Sequence, residues 1–445
     1  MNLAPSDIKK EGASFDLAIA LGILSASQQL NSERLKDYCV LGELSLDGSL
    51  RPTKGILPIG IAINKFKVKD MIVSCQNAKE AAVISDILVW PMKTLKETVE
   101  FLNNPDIAKP LKLNLEQLFR ENANYEVDFS EVKGQYLAKR ALEVAVAGGH
   151  NVLMIGPPGS GKTMIAKRIP TILPDLTLEE ALEITKIHSA MGALPVKDGI
   201  MSIRPFRLPH HTSSSVALIG GGSLPQPGEI SLAHQGVLFL DELPEFHRDA
   251  LEALRQPLED GFIRVSRLAK SFIFPASFML VCAMNPCKCG TFGQPKNPCR
   301  CSTTQIARYR AKISGPLLDR IDIHIEVPAA RYSELSSNLP AESSAQIKER
   351  VNKARAIQRE RFKGEGILCN ALMSHKQVRK FCTLGKEESE LLKMAMTELN
   401  FSARAYDKIL KVSRTIADLA GSEQIKTEYL SEAIQYRSLD RDFFV

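Results

Sequence analysis

Short apolar runs, each closed by turn or charged residues, set the pattern of this chain. Residues 151–155 (NVLMI), 237–240 (VLFL) and 278–282 (FMLVC) lack the alternation of a strand with one wet face. They predict parallel strands covered on both sides. The stretch TMIAKRIPTIL at 163–173 has a helical pattern, and FIRVSRLAKSFIF at 262–274 alternates enough for a hairpin. Residues 126–330 therefore alternate strand and helix, as an α/β fold with a parallel sheet does. Residues 1–100 mix short strands (VLGEL, MIVSC, ILVW) with helices and a DGS turn at 47–49. Residues 101–125 are polar, contain two prolines, and read as a linker with a short helix. From 331 to 445 the pattern is helical and heavily charged, with no convincing strand.

Composition narrows the class. A chain of 445 residues predicts two or three domains. Its 44% hydrophobic and 24% charged residues are those of a globular protein. A net charge of +6 permits an acidic partner without requiring one. The longest apolar run, Leu17–Leu24, is far short of the ~18–20 residues that cross a bilayer. The opening MNLAPSDIKKEG has no hydrophobic signal segment. The expectation is a cytoplasmic protein without a membrane partner, whose nine cysteines serve as thiols or metal ligands rather than disulfides.

The chemistry begins where the first apolar run ends. Residues 156–163 read GPPGSGKT, which satisfies the P-loop pattern G-x-x-x-x-G-K-[ST] between a strand and a helix. Gly156, Pro157, Pro158, Gly159, Ser160, Gly161, Lys162 and Thr163 are the expected ATP contacts. Such a loop turns backbone N–H groups towards phosphates, and the helix start adds partial positive charge. Lys162 is expected on the β/γ-phosphates and the Thr163 hydroxyl on Mg²⁺. Asp241 ends the 237–240 run, where ligands bind in open α/β sheets, and is the second expected Mg²⁺ partner. Glu242 is the candidate general base for the attacking water, or else a helix N-terminal charge. Thr163 and Asp241 lie 78 residues apart, more than two βα steps of ~30 residues use. The surplus includes GGGSLPQPGEISLAHQ at 220–235, an exposed loop or hairpin for a substrate or a subunit contact.

Further features fill out the site. VKGQ at 132–135 precedes the first core helix, at a position where related ATPases contact adenine. Asn285 follows the 278–282 run as a polar sensor of water or γ-phosphate. Arg320, in SGPLLDRID at 314–322, is a candidate arginine finger supplied to a neighbour's ATP. Arg404, in SARAYDKIL at 402–410, suits a second sensor. In this order the features resemble the AAA+ ATPases of the magnesium-chelatase-like branch. The segment RPFRLPHHTSSSVALIGGGSLPQPGEISLAHQGVLFLDELPEF, with NLAPSDIKKEG, RYRAKISGPLLDRIDIHIEVP and SARAYDKILKVSRTIADLAG, is similar to the YifB/ComM family over essentially the whole chain. The resemblance implies an AAA+ core at 126–330 with a helical lid at 331–445. It also implies a hexameric DNA motor that promotes branch migration during natural transformation.

KKEGASFD at 9–16 and GELSLDGSLRPTKGILP at 42–58 resemble the proteolytic domain of Lon, which implies a partial Lon-protease-like α+β domain at residues 1–100, shorter at its N-terminus than family members. Ser14 aligns with the Lon nucleophile, but the lysine position is Leu57, and Lys54 lies off that direction. A serine without its paired base is a turn residue rather than a nucleophile. The domain is expected to be a non-proteolytic scaffold or substrate arm.

Cys287, Cys289, Cys299 and Cys301 form C-x-C followed by C-x-C. Four thiolates satisfy a structural Zn²⁺, although the spacing is tighter than the usual C-x₂₋₄-C, and redox-reactive or buried thiols are the alternative. His210 and His211 are expected to bond locally or line an interface rather than bind metal. For DNA, the hairpin cations Arg264, Arg267 and Lys270 are favoured as phosphate contacts. Segment 348–363 carries seven Lys/Arg, but a solvated face with i,i+4 pairs explains it slightly better. A protein-remodelling ATPase resembling the magnesium chelatase ATPase subunit is the alternative to a DNA motor.

Overall fold

The computed structural model describes residues 13–439 apart from 32, 67, 116–117, 119–124, 195–198, 223–224, 268–269, 295–297, 330–340 and 400. The NLAPSDIKKEG segment at 2–12 and the tip of the 262–274 hairpin thus lie outside the described residues. Contacts divide the chain into two units. One comprises Met1–Asn124 with Leu176–Ile203, the other Tyr125–Asp175 with Arg204–Val445.

In the first unit, strands Tyr38–Val40, Asp70–Ser74 and Leu88–Met92 form a parallel sheet in that order. Helices Asp16–Ala26 and Leu95–Asn103 bury Leu17, Leu21, Phe101 and Leu102 in one cluster with Ile72 and Met92. Thr94 starts the second of these helices by accepting from the Glu97 N–H. Residues 176–203 fall inside the 126–330 span but pack here, because Ala181 and Ile200 complete a cluster with Leu57 and Val83. A capping box of Thr177 and Glu180 begins their helix, Leu178–Met191. This excursion, more than the 220–235 segment, accounts for the long spacing between Thr163 and Asp241. Leu57 is fully buried, while Ser14 sits in the short turn Ala13–Phe15 and its carbonyl accepts from the Gly42 N–H at 3.0 Å.

The second unit is an α/β core with helices at its C-terminal end. Its five strands, in chain order, are Val152–Ile155, Phe206–Arg207, Val237–Leu240, Met279–Met284 and Ile323–Glu326. They form one parallel sheet in the spatial order fifth, first, fourth, third, second. The three apolar runs read from the sequence are the three adjacent central strands, and all their side chains are buried. Helix Tyr136–Gly148 has ten buried residues and packs against Ser344–Arg361 and Ala403–Leu419. The helix after the P-loop is short, Lys162–Ala166, followed by a 3₁₀ turn at Ile169–Ile172. Pro170 explains the break, since its ring would clash with the carbonyl four residues earlier, at Ala166. The unit also holds two hairpins, Gly220–Gly221 with Gln226–Pro227 and Phe262–Arg267 with Lys270–Pro275.

A buried polar cluster joins the sheet to the C-terminal helices. His150 Nε2 lies 2.8 Å from Thr415 Oγ1. Asp322 accepts from the Asn151 N–H at 2.8 Å and pairs with Lys408 at 2.9 Å. Burial pushes His150 down to about 4, although Asp322 lies 3.9 Å away. The folded pKa is below the ordinary 6.5, so between pH 6.5 and 4 the unfolded chain binds a proton that the folded chain does not. Stability from His150 is full above pH 6.5 and declines as pH falls towards 4, by on the order of 3 kcal/mol. Urea titrations at pH 7.5, 5.5 and 4.5 should show this slope, and His150→Gln should flatten it.

Candidate functional site

The three central strands deliver the site. Ile155 pairs with Met284 and Leu240 with Cys282, so the P-loop, Asn285 and Asp241 leave neighbouring strands at the same sheet edge. Together Pro158–Met164, Asp241, Glu242, Met284 and Asn285 line a cavity of about 370 Å³. Gly161, at φ +89°, starts the short helix from a left-handed conformation that an L side chain would strain. The loop is thereby turned so that its backbone can face an anion.

Lys162 is buried, and its Nζ donates to the carbonyls of Gly156 (2.8 Å) and Pro157 (2.9 Å) and to Asn285 Oδ1 (3.3 Å). Desolvation lowers its pKa, and the charges of Asp241 and Glu242 oppose that shift. Phosphate oxygens are stronger acceptors for this ammonium than neutral carbonyls, because the hydrogen bond becomes charge-assisted on both sides. The Thr163 hydroxyl donates to Asp241 Oδ2 at 2.6 Å, and Asp241 Oδ1 accepts from the Glu242 N–H at 3.0 Å. A hydroxyl and a carboxylate at this distance are the hard oxygen ligands that Mg²⁺ takes alongside phosphate.

Glu242 stands in the left-handed region, φ 52° and ψ 47°, without being glycine. Such strain is held by the surrounding structure and collects at functional positions. Its side chain is 58% exposed, free to meet water, and His211 Nδ1 lies 3.6 Å from Oε2. His210 bonds locally to Thr212, at 2.8 Å, and the two histidine rings lie 4.2 Å apart. His211 as a partner of Glu242 is absent from the sequence reading, since no spacing rule joins residues on separate loops. Gln135, from the VKGQ segment, donates to the carbonyls of Ser160 (3.3 Å) and Pro328 (2.6 Å), and so props the P-loop from outside.

Arg320 and Arg404 lie elsewhere. Neither lines the P-loop cavity; both line a second cavity of about 290 Å³ with Glu259, Asp319 and Asp322. Arg320 pairs with Glu259 and donates to the Pro316 carbonyl at 2.5 Å, and Arg404 lies 3.6 Å from Asp319.

Comparisons with known proteins agree with this geometry. The family described as magnesium chelatase, subunit ChlI, matches residues 128–335, its C-terminal family matches 341–437, and a further ChlI family matches 1–77. The competence protein ComM of Haemophilus influenzae is 45% identical over 99% of this chain and 86% of its own length. The chain belongs to the ComM/YifB family of magnesium-chelatase-like AAA+ ATPases. YifB of Escherichia coli is 43% identical over 99% of the chain and 85% of its own length. A magnesium-chelatase 67 kDa subunit of Chlorobaculum parvum is 28% identical over 36% of the chain and 23% of its own length. The central sheet and its P-loop are thus the ATPase core of a ComM/YifB protein, and the helices from 344 onwards form its C-terminal region.

Other candidate residues of this family member fare differently. In the 262–274 hairpin Arg264 is exposed, with its guanidinium 6.0 Å from the Phe262 ring, and the backbones of Arg267 and Lys270 pair at the end of the ladder. The sulfurs of Cys287, Cys289, Cys299 and Cys301 all lie within 4.8 Å of one another. The basic helix is not an open cationic face. Lys348 pairs with Asp175, Arg350 with Glu143 and Glu342, and Arg361 with Asp418, while Arg355 donates to the carbonyls of Val146 and Leu368. Among the described residues no helix is long and apolar enough to cross a membrane.

Proposed function

We propose that this AAA+ ATPase works in the cytoplasm as a homo-oligomeric ring, a hexamer, that drives DNA translocation or branch migration in natural transformation and recombination. The observation that carries the reading is 45% identity, along nearly the whole chain, to a protein named for competence. In this reading Lys162 holds the β/γ-phosphates, Thr163 and Asp241 hold Mg²⁺, Glu242 polarises the attacking water and Asn285 orients it. Arg264, Arg267 and Lys270 on the 262–274 hairpin meet DNA phosphates without reading sequence. The four cysteines hold a structural Zn²⁺.

Arg320 acts on the nucleotide of the neighbouring subunit, with Arg404 as a second sensor beside it. Their shared cavity, apart from the P-loop cavity of their own chain, supports that role. Arg320→Ala is expected to bind nucleotide normally and lose roughly 10³-fold or more in turnover. Mixing it with inactive Lys162→Ala subunits should restore part of the activity, because each variant supplies what the other lacks at a shared interface. Failure to complement would place the arginine's action within its own chain.

The test of the motor is ATP turnover with and without single-stranded and forked DNA, beside a Glu242→Gln control. Strong stimulation by DNA that vanishes in the control supports the reading. Turnover indifferent to every DNA form favours protein remodelling in the manner of a magnesium chelatase ATPase subunit, a reading supported by the match of residues 128–335 to the magnesium chelatase subunit ChlI family.

A further inference from the structure

The cysteine cluster and the nucleotide loop are in direct contact. Cys287 and Cys289 lie in a tight turn closed by the Gly290 N–H donating to the Cys287 carbonyl at 3.0 Å. Gly290 has φ +81°, and a Cβ built there would lie 2.5 Å from Cδ and 2.6 Å from Cγ of Pro158. Real Cβ atoms do not approach so closely, so the backbone of this turn is seated on the proline ring of the P-loop. The same turn leads back through Pro286 to Asn285, whose side chain accepts from Lys162. Arg310 secures it from the other side, donating to the Pro286 carbonyl at 3.3 Å with its guanidinium 5.3 Å from the Phe292 ring.

Residues 287–301 contain no helix or strand among those described. Yet Sγ of Cys287 lies 3.3 Å from that of Cys289 and 3.6 Å from that of Cys299, and Cys289 and Cys299 are 3.5 Å apart. These separations are too long for disulfide bonds, at about 2.05 Å. They are close to the edge of a sulfur tetrahedron around zinc, about 3.8 Å for Zn–S bonds of about 2.3 Å. Four protein thiolates close the coordination shell and leave no position for a reacting water, which makes the site structural.

We propose that zinc bound by Cys287, Cys289, Cys299 and Cys301 braces the P-loop, so that nucleotide affinity depends on zinc occupancy. The proposal rests on the reading of 156–163 as the nucleotide site. The ion cross-links a segment that lacks a backbone ladder and fixes the 287–290 turn. That turn then holds Pro158 at one end of the phosphate loop and Asn285 at the other side of Lys162. Without the ion the turn is free to lift, and the loop must be ordered by the nucleotide itself, which weakens binding.

The experiment uses the full chain purified under reducing conditions, with metal content read by mass spectrometry and affinity by a fluorescent ADP analogue. The expected result is one zinc per chain. In the Cys289→Ser/Cys299→Ser variant zinc should be lost and the analogue bound more weakly, on the order of tenfold. Gly290→Ala keeps all four ligands. It should retain zinc and still bind the analogue more weakly, because the added methyl pushes on Pro158. Lys162→Ala should retain zinc and lose the analogue. Absence of zinc from the wild-type chain overturns the proposal, as does wild-type affinity in the zinc-free cysteine variant, whatever the glycine variant does. A wild-type chain that holds zinc but binds no nucleotide overturns instead the nucleotide reading on which the brace depends.

Discussion

Glu242→Gln is expected to bind ATP with near-wild-type affinity and to hydrolyse it roughly 10²–10⁴-fold more slowly. Glutamine keeps the volume and the left-handed backbone at position 242 but cannot accept a proton from water. The P-loop, Lys162, Thr163 and Asp241 are unchanged, so the groups proposed to hold nucleotide remain. Lys162→Ala should behave differently, losing binding and turnover together, because it removes the buried ammonium proposed to hold the phosphates. Phosphate release and fluorescent-nucleotide titration on both variants separate the two roles. If Glu242→Gln turned over normally, the exposed carboxylate would be only a charge at the start of the following turn. His211→Ala should fall between wild type and Glu242→Gln if the imidazole, 3.6 Å from Oε2, helps to position the proposed base.

The parts of this site that were legible in the sequence share one physical cause. Strands 152–155, 237–240 and 279–284 are covered on both faces, so they are written as apolar runs with a candidate site residue directly after each. Gly156, Asp241 and Asn285 are therefore placed at strand ends by the sequence itself. Residues 176–203 were not legible as part of the other unit, because an apolar helix face does not name the sheet it will cover. The basic helix was misleading for a related reason. Its cations look solvated in a local window, but Asp175, Glu143 and Asp418 lie far away in sequence. Of the seven, Lys353 pairs along the helix with Glu349, as short-range rules expect, and Lys363 pairs with Glu360 from the turn just past the helix end. Long-range ion pairs leave no periodic signature, and neither does a histidine set beside Glu242 from another loop.

Asp418→Ala is expected to destabilise the second unit by about 3–5 kcal/mol, a large share of the 5–15 kcal/mol typical of a folded protein. Its carboxylate is fully buried and accepts from both Nη atoms of Arg361, from Arg414 Nε at 3.0 Å and from Asn370 Nδ2 at 2.8 Å. The substitution leaves two nearly buried guanidinium groups without their shared counter-charge, and the cost is that of the stranded cations more than of the lost bonds. Arg361 ends one C-terminal helix and Asp418 lies in the last turn of another, so the clasp fixes how these helices pack around Asn370. A matched control lies on the same helix as Asp418. Asp407 pairs with a His375 side chain that is 58% exposed, and Asp407→Ala should cost less than about 1 kcal/mol. Urea midpoints for the two variants should therefore differ widely although each removes one aspartate. Equal midpoints would mean that Arg361 and Arg414 find new acceptors or water once Asp418 is gone, and that this part of the lid is looser than its buried network implies.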